Sequence, residues 1–248
     1  MAVDPVRHAR HILLKEVGGP GQQRLSRARV VIIGAGGLGA PAALYLAAAG
    51  VGAIRIADPD RVSLDNLQRQ ILYRTQDVGR LKTERAAEAL AALDPSLDID
   101  ARAIAADNHS LPDLLAGADL VLDGCDDFAT RFAVNRAALA AGIPLVSGAV
   151  GRWDGQVAVF APHLAPDAPC YQCWVPAAPP DAETCAETGI VGALTGVIGS
   201  LMALEAIKLI TGAGEALTGR LVLYDGLSGR ARTVRVHRDP DCKACGKG

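Results

Sequence analysis

The stretch VVIIGAGGLGAPAALYLAAAGVGAI, residues 30–54, contains no charged side chain in 25 residues. Its length alone would allow it to cross a membrane, since a transmembrane helix needs about 20 apolar residues. Six glycines and Pro41 interrupt it, and four of these glycines directly follow the β-branched block 30–33, which is typical of a buried parallel strand. We therefore predict a strand, a tight turn, a helix, a second turn and a second strand at 53–57.

The first of these turns is rich in glycine. Gly34, Gly36 and Gly39 form a G-x-G-x-x-G motif, and Gly37 lies within it. Backbone amides at the start of a helix attract phosphate, and an acidic residue about 20 positions further on is expected to hold a ribose hydroxyl. Asp58 occupies that place. The alternative is a turn whose glycines only let helix and sheet approach closely. We predict nucleotide binding, although the motif does not identify the nucleotide.

Composition narrows the class of protein. The 248 residues carry 25 basic and 27 acidic side chains, without the long basic run of a nucleic-acid-binding protein. The N-terminus lacks the apolar segment of a secretory signal, so we expect a cytoplasmic protein with neither nucleic acid nor membrane as partner. A second apolar run, 190–204, is only 15 residues long and predicts a buried helix. Its glycines, 192, 196 and 199, fit internal packing or a subunit interface equally well.

Strands and helices alternate up to about residue 150, which predicts an α/β fold with a Rossmann-like, mostly parallel sheet and helices on both faces. From about Gly155 the pattern changes. Three further strands are predicted at 155–161, 220–224 and 233–237, as a C-terminal antiparallel extension of the sheet. A proline-rich loop, 162–180, separates the first of these strands from the apolar helix.

Four of the six cysteines form two Cys-x-x-Cys pairs, Cys170 with Cys173 and Cys242 with Cys245, separated by 68 residues. Four thiolates from two such pairs suit tetrahedral zinc, and a site filled by sulfur leaves no position for substrate. A redox motif would occur once, and disulfides are disfavoured in the cytoplasm. We predict a structural four-cysteine zinc site that clamps the C-terminal tail to the loop after the sheet.

The two other cysteines differ in their surroundings. Cys125 follows a predicted strand and is best interpreted as a small buried hydrophobic residue. Cys185 lies among acidic residues, which argues against an intrinsically reactive thiolate. A role in sulfur transfer remains open for Cys185 if its reaction partner arrives activated.

A second motif follows Asp58. Arg69 lies in DNLQRQ, residues 65–70, and Lys82 ends GRLK, residues 79–82. Fixed cations close to a phosphate-binding turn suit a reaction at phosphorus, where negative charge on the transferring oxygens must be matched. A hydride-transferring enzyme has no such need. The alternative is that both cations lie on a solvated face.

Several segments together resemble the E1-like adenylyltransferases of the ThiF/MoeB/HesA family, bacterial enzymes that activate ubiquitin-like sulfur-carrier proteins. The resemblance covers residues 7–246 and is highly specific in combination. The matching segments are GAGGLG (34–39), ADPDRVSLDNLQRQ (57–70), GRLK (79–82), DGCDDFATR (123–131), CYQC (170–173), TCAETG (184–189), VIGSLMALEAIK (197–208) and DCKACG (241–246).

The resemblance implies a homodimer that binds ATP with Mg²⁺ and the C-terminal Gly-Gly tail of a MoaD-like or ThiS-like carrier. The carrier carboxylate would attack the α-phosphate, giving an acyl-adenylate and pyrophosphate for molybdopterin or thiamine biosynthesis. Residues 1–248 would form a single adenylyltransferase domain. Its parts would be an N-terminal helical arm (1–28), a nucleotide-binding part (29–150) and a carrier-binding, zinc-bearing part (151–248).

The same resemblance implies roles for individual residues. Gly37 and Asp58 would hold the nucleotide, while Asn66, Arg69 and Lys82 would contact phosphates. Asp126 would bind Mg²⁺. Arg10 would reach the active site of the partner subunit, and the four paired cysteines would bind Zn²⁺. Cys185 matches a loop cysteine that, in the thiazole branch, can bond covalently to the carrier.

Two features depart from the family pattern. Asp127 stands where these enzymes usually carry asparagine, adding a negative charge near the metal and the nucleotide. No rhodanese-like domain follows, so a separate donor, a cysteine desulfurase or a rhodanese, is expected to supply sulfur. Two rival functions share part of the pattern: an NAD-dependent oxidoreductase, which has the same first βαβ unit, and a non-catalytic scaffold that binds a carrier.

Overall fold

The computed structural model describes residues 3–179 and 189–246. Within these ranges the strands are β1 (Arg29–Ile33), β2 (Ala53–Ala57), β3 (Asp98–Arg102), β4 (Leu120–Asp123), β5 (Leu145–Gly151), β6 (Asp154–Phe160), β7 (Arg220–Asp225) and β8 (Arg230–Arg235). The α-helices are α1 (Ala9–Ile12), α2 (Gly18–Leu25), α3 (Gly39–Ala48), α4 (Lys82–Leu93), α5 (Leu111–Leu114), α6 (Phe128–Ala141), α7 (Tyr171–Trp174) and α8 (Gly192–Thr211). Short 3-10 turns span Leu64–Asn66 and Thr75–Asp77.

All eight strands belong to one sheet in the order β3-β2-β1-β4-β5-β6-β7-β8. The strands from β3 to β5 are parallel, and β6, β7 and β8 each pair antiparallel with the strand before them. This confirms the predicted mostly parallel sheet with a C-terminal antiparallel extension.

The register of the parallel strands determines where a ligand can bind. Ile33, the last residue of β1, pairs with Ala57 at the end of β2 and with Asp123 at the end of β4. The loops after these three strands therefore lie side by side. The strand order also reverses between β1 and β4, and ligands of open α/β sheets bind at such a switch point, outside the carboxyl ends of the strands.

Alternating side chains of each strand build a core on each face of the sheet, because successive residues of a strand point in opposite directions. Val30 and Ile32 pack into a core that includes α3 and α8. Val31 and Ile33 pack into a second core that includes α5 and α6. The arrangement confirms helices on both faces.

Helix α8 has 20 residues and, among the described residues, is the one helix long and apolar enough to span a membrane. It packs against α2, α3, β5 and β6, as expected for a core helix. A Cβ atom on Gly199 would lie 2.5 Å from Pro41 Cγ, and one on Gly192 would lie 2.1 Å from the Gln68 carbonyl oxygen. These two glycines therefore serve internal packing, whereas a Cβ on Gly196 would meet no described atom within 4 Å.

Two strands differ in extent from their predictions. For β5 the sequence predicts a short strand, 144–147; the strand observed continues to Gly151 because its last residues pair with β6 in a hairpin. β8 begins at Arg230, three residues before its predicted start. Most side chains of β8 are exposed, so its sequence lacks the hydrophobic alternation that marks a half-buried strand.

Candidate nucleotide pocket and four-cysteine site

A cavity of about 480 Å³ lies at the carboxyl ends of β1, β2 and β4. Its volume is in the range of ordinary small-molecule sites. The sequence-predicted residues that line it are Gly34, Gly36, Gly37, Asp58, Arg69, Lys82, Asp126 and Asp127. Four segments far apart in the chain thus meet around one pocket, at the place predicted for a nucleotide.

The glycines of the turn have two different structural roles. Gly34 adopts a φ of +89°, which favours glycine, while a Cβ on Gly36 would meet only Gln70 Nε2, at 3.6 Å. A Cβ on Gly39 would lie 1.8 Å from the Gly34 carbonyl oxygen. Gly36 therefore keeps the pocket open, and Gly39 allows α3 to begin against the turn. Close packing therefore explains Gly39, whereas Gly36 leaves the space that phosphate binding would need.

Asp58 ties the glycine-rich turn to β2. Its carboxylate accepts hydrogen bonds from the backbone N–H groups of Ala35 and Asp60, each at 2.8 Å. Burial raises the pKa of Asp58 above its usual value, although the charge of Lys82 and the two backbone hydrogen bonds offset part of that shift. A carboxylate oxygen has more than one acceptor site, so Asp58 can still accept a hydrogen bond from a ribose hydroxyl.

The two predicted cations both line the pocket. Lys82, the first residue of α4, is buried, and its Nζ lies 2.8 Å from Asp60 Oδ2 and 4.0 Å from Asp58 Oδ2. Arg69 is half-buried, and its backbone carbonyl accepts a hydrogen bond from Thr195 Oγ1 at 3.2 Å. The structure thus places Lys82 in the pocket wall rather than on a solvated face, and α8 anchors the backbone that carries Arg69.

Gln70 belongs to the second motif, but no pattern in the sequence assigned it a role. Its side chain is 4% exposed, lines the pocket, and has an Oε1 atom without a hydrogen-bond partner among the described residues. A buried polar atom left unpaired is energetically unfavourable. A polar ligand in the cavity would satisfy this carboxamide, which supports the fit of a nucleotide.

Asp126 and Asp127 follow β4 but have different surroundings. Asp127 caps α6, since its Oδ1 accepts a hydrogen bond from the Thr130 N–H at 2.8 Å. Asp126 is exposed and makes no hydrogen bond or ion pair within the described ranges. Carboxylate oxygens are preferred ligands of Mg²⁺, so the exposed carboxylate of Asp126 is suited to the role of metal ligand that the sequence predicts.

The capping contact explains how the chain accommodates aspartate at position 127. Asparagine caps a helix about as well as aspartate, whereas alanine in place of such a cap costs about 1 kcal/mol. We expect Asp127→Asn to leave the melting temperature unchanged and Asp127→Ala to lower it by about 2–4 °C. Thermal unfolding monitored by circular dichroism tests this, and equal melting temperatures for the two variants would contradict the capping role.

Arg131 is a further residue that sequence reasoning missed. It is buried, lines the pocket and forms an ion pair with the fully buried Asp123, with Nη1 3.5 Å from Oδ2. Its Nη2 donates to the carbonyl oxygens of Cys125 and Gly148, the latter at 2.9 Å. Arg131 thereby holds the backbone directly before Asp126.

Three other predicted residues lie outside this pocket or outside the described residues. Asn66 is in the 3-10 turn after β2, where its Nδ2 donates to Asp65 Oδ2 at 3.3 Å. Arg10 is exposed on α1. Cys185 lies outside the described residues. Cys125 is half-buried against the second core, and burial raises the pKa of its thiol well above the usual value, so it is not a reactive thiolate.

The two Cys-x-x-Cys pairs come together as predicted. The sulfurs of Cys170, Cys173, Cys242 and Cys245 all lie within 4.8 Å of one another. Neighbouring Sγ atoms are 3.6, 3.9 and 3.5 Å apart. Four sulfurs placed 2.3 Å from a zinc ion at the corners of a tetrahedron are separated by about 3.8 Å. The cluster therefore has the dimensions of a tetrahedral thiolate site.

We expect one zinc ion per chain in protein purified without chelator. Replacing Cys242 with serine removes one of four ligands and should lower the zinc content at least tenfold, because each thiolate contributes to affinity and closure of the site. Cys125→Ser is the matched control, since Cys125 lies outside the cluster. Elemental analysis measures the number of zinc ions per chain, and a wild-type protein without zinc would exclude the four-cysteine zinc site.

Comparisons with known proteins show what the chain as a whole is similar to. The sequence profile of the ThiF family matches residues 8–244. The sulfur carrier protein adenylyltransferase of Thermus thermophilus is 46% identical over 244 residues, covering 97% of this chain and 90% of that protein. The SAMP-activating enzyme E1 of Haloferax volcanii is 44% identical over 244 residues, and the alignment covers 98% of this chain and 89% of that protein.

A further relative and a solved structure extend the comparison. The probable adenylyltransferase/sulfurtransferase MoeZ of Mycobacterium tuberculosis is 45% identical over 238 residues; the alignment covers 94% of this chain and 60% of that protein. A crystal structure of E. coli MccB with MccA-N7isoASN superimposes with a TM-score of 0.85 at 24% identity, covering 97% of this chain and 75% of that one. At this identity the structural match supports the fold alone.

Proposed function

This chain belongs to the ThiF family, and from that premise we propose that it transfers the adenylyl group of ATP to the C-terminal glycine carboxylate of a ubiquitin-like sulfur-carrier protein. The observation that carries the proposal is the placement of Arg69 and Lys82 beside the glycine-rich turn, in one pocket with Asp126. The names of the relatives, one a sulfur carrier protein adenylyltransferase, support the same reaction.

In this reaction a carboxylate oxygen of the carrier attacks the α-phosphorus of ATP. A bond forms between them, the bond from the α-phosphorus to the bridging oxygen breaks, and pyrophosphate leaves with the electron pair. The negative charge on the phosphate oxygens must be matched by preorganised cations. Arg69 and Lys82 fill this role, while Asp58 holds the ribose and Gly36 and Gly37 leave room for the phosphates.

Lys82 changes partners in this scheme. In the structure its ammonium group pairs with Asp60 and lies 4.0 Å from Asp58, so it is held beside the pocket before a nucleotide arrives. A fixed cation loses little conformational freedom when it binds a phosphate. Asp126 would hold Mg²⁺, which supplies further positive charge to the phosphates when bound.

The proposal includes the partners expected from the sequence. The protein acts as a cytoplasmic homodimer, and Arg10, exposed on α1, contacts the nucleotide of the partner subunit. The carrier is MoaD-like or ThiS-like, serving molybdopterin or thiamine biosynthesis. A separate cysteine desulfurase or rhodanese supplies the sulfur.

ATP:pyrophosphate exchange tests the reaction. Each candidate carrier is offered with Mg²⁺, either intact or lacking its two terminal glycines. We expect exchange with one intact carrier and none with its truncated form, which also identifies the pathway. ATP binding without exchange for any carrier would favour the non-catalytic scaffold, and substrate-dependent reduction of bound NAD would favour the oxidoreductase.

A further inference from the structure

Helix α6 extends from the nucleotide pocket to the four-cysteine site. Its N-terminus, capped by Asp127, lies beside Asp126 at the pocket. Asn135, eight residues further along, contacts the segment that contains Cys170. A helix rises 1.5 Å per residue, so these two ends are about 12 Å apart along one rigid element.

Asn135 is the contact of α6 with the cysteine site. Its side chain is 1% exposed, and its Oδ1 accepts a hydrogen bond from the Tyr171 N–H at 2.9 Å. Its Nδ2 lies 3.7 Å from Cys170 Sγ and 3.5 Å from Gln172 Oε1. Groups that hydrogen-bond to metal ligands fix the ligands' orientation. A metal-bound Cys170 thiolate would be a stronger acceptor than a thiol, so the hydrogen bond from Asn135 Nδ2 to Cys170 Sγ would strengthen when the site is filled.

Arg131, one helical turn before Asn135, is the contact of α6 with the pocket. Its guanidinium donates to the carbonyl oxygens of Cys125 and Gly148 and pairs with Asp123. Cys125 directly precedes Asp126. A shift of α6 would move the Arg131 guanidinium that holds the Cys125 carbonyl oxygen, and with it the backbone of Asp126.

An aromatic contact couples the same elements. Tyr171 lies between Cys170 and Cys173 in sequence, yet it also lines the nucleotide pocket. Its ring packs against Phe132 of α6, with the ring centroids 5.9 Å apart, and against Phe160 of β6, with the centroids 5.6 Å apart. The metal-binding segment is thus part of the pocket wall and is held to α6 by both packing and hydrogen bonding.

We propose that Asn135 and Arg131 are positioning residues that couple metal occupancy of the four-cysteine site to nucleotide binding at the Asp126 loop. The coupling rests on the proposed function, because it requires ATP in the pocket. This coupling is a second role for the metal site, in addition to holding the C-terminal tail. A filled site favours the position of α6 in which Asp126 is placed for the nucleotide.

Cobalt substitution provides the test. Tetrahedral Co²⁺–thiolate sites absorb visible and near-ultraviolet light, and this absorption reports on the bonds to sulfur. The Co²⁺-loaded protein is titrated with ATP in excess Mg²⁺, and calorimetry measures nucleotide binding in parallel. We expect the cobalt–thiolate spectrum to change on binding. We also expect the nucleotide to raise Co²⁺ affinity, measured by chelator competition, by about fivefold or more, with a reciprocal effect of the metal on nucleotide affinity.

Asn135→Leu and Arg136→Ala form the matched pair of variants. Arg136 is the next residue of the same helix and is exposed. The leucine variant should bind both ligands without coupling between them, whereas the alanine variant should retain the wild-type coupling. If Asn135→Leu fails to fold, the wild-type titration still decides whether the two sites are coupled, and Asn135→Ala takes the place of the leucine variant in the test of the route.

The outcomes separate the two proposals. Nucleotide binding with an unchanged cobalt spectrum and less than a twofold change in metal affinity would overturn the coupling and leave the adenylation proposal standing. Retention of full coupling in Asn135→Leu would overturn the assigned route. Absence of nucleotide binding altogether would overturn the proposed function and the coupling with it.

Discussion

Replacing Asp126 with alanine is expected to abolish ATP:pyrophosphate exchange, with a loss of about 10³-fold or more, while the fold remains intact. The loss follows because the proposed reaction builds up negative charge on phosphate oxygens that Mg²⁺ would match, and the variant removes the carboxylate that would hold Mg²⁺. The fold should survive because Asp126 is exposed and has no side-chain partner within the described ranges. Its melting temperature should stay within about 2 °C of the wild type.

Asp127→Asn is the matched control for this variant. It changes the neighbouring carboxylate but keeps the cap of α6, so we expect exchange to stay within about a factor of ten of the wild type. Unchanged exchange in Asp126→Ala would contradict the role of Asp126. Equal losses in both variants would instead mean that the total charge of the loop, and not the Asp126 carboxylate, determines activity.

Gly39→Ala is expected to have the largest effect on stability. A Cβ at this position would lie 1.8 Å from the Gly34 carbonyl oxygen and 3.2 Å from Ile32 Cγ2. The first of these is a backbone atom, so relief requires α3 to move away from β1. Overpacking of this kind costs about 3 kcal/mol, which corresponds to a fall of about 6–12 °C in melting temperature for a chain of this length.

Gly36→Ala, three residues earlier in the same motif, separates packing from binding. Its Cβ would meet only Gln70 Nε2 at 3.6 Å among the described atoms, so the fold should tolerate the methyl group. That group projects at the pocket, and we expect ATP affinity to fall at least tenfold with little change in melting temperature. Thermal unfolding and calorimetry on both variants test whether Gly39 serves packing and Gly36 serves nucleotide binding. A stable Gly39→Ala protein would contradict it.

The sequence allowed the nucleotide pocket to be predicted because its parts are local. A β-branched block followed by Gly34, and a strand followed by Asp58, each indicate the carboxyl end of a parallel strand. Parallel strands bring those ends together, so residues 24 positions apart could be placed side by side without the structure. The meeting of the two Cys-x-x-Cys pairs was predictable for a similar reason, since this spacing is typical of zinc ligands.

The contacts between the two sites were not predictable in this way. Arg131 pairs with Asp123 and with a carbonyl of β5, and Asn135 reaches Tyr171, which is 36 residues away in sequence. No spacing rule links these positions, because their proximity depends on how α6 packs on the sheet. The interior glycines of α8 pose the same problem: the sequence left packing and a subunit interface open, and the close approach of Pro41 and of the Leu38 carbonyl oxygen decides for Gly199.

The last strand of the sheet has a consequence for solubility. Among the described strands β8 pairs only with β7, so one row of its backbone groups faces outward. Unprotected strand edges invite pairing between molecules, and charged side chains oppose it. Arg230, Arg232 and Arg235 lie on this strand and are exposed. Two copies that approach through these edges are therefore expected to repel each other, which opposes aggregation at high concentration, and added salt should weaken this repulsion.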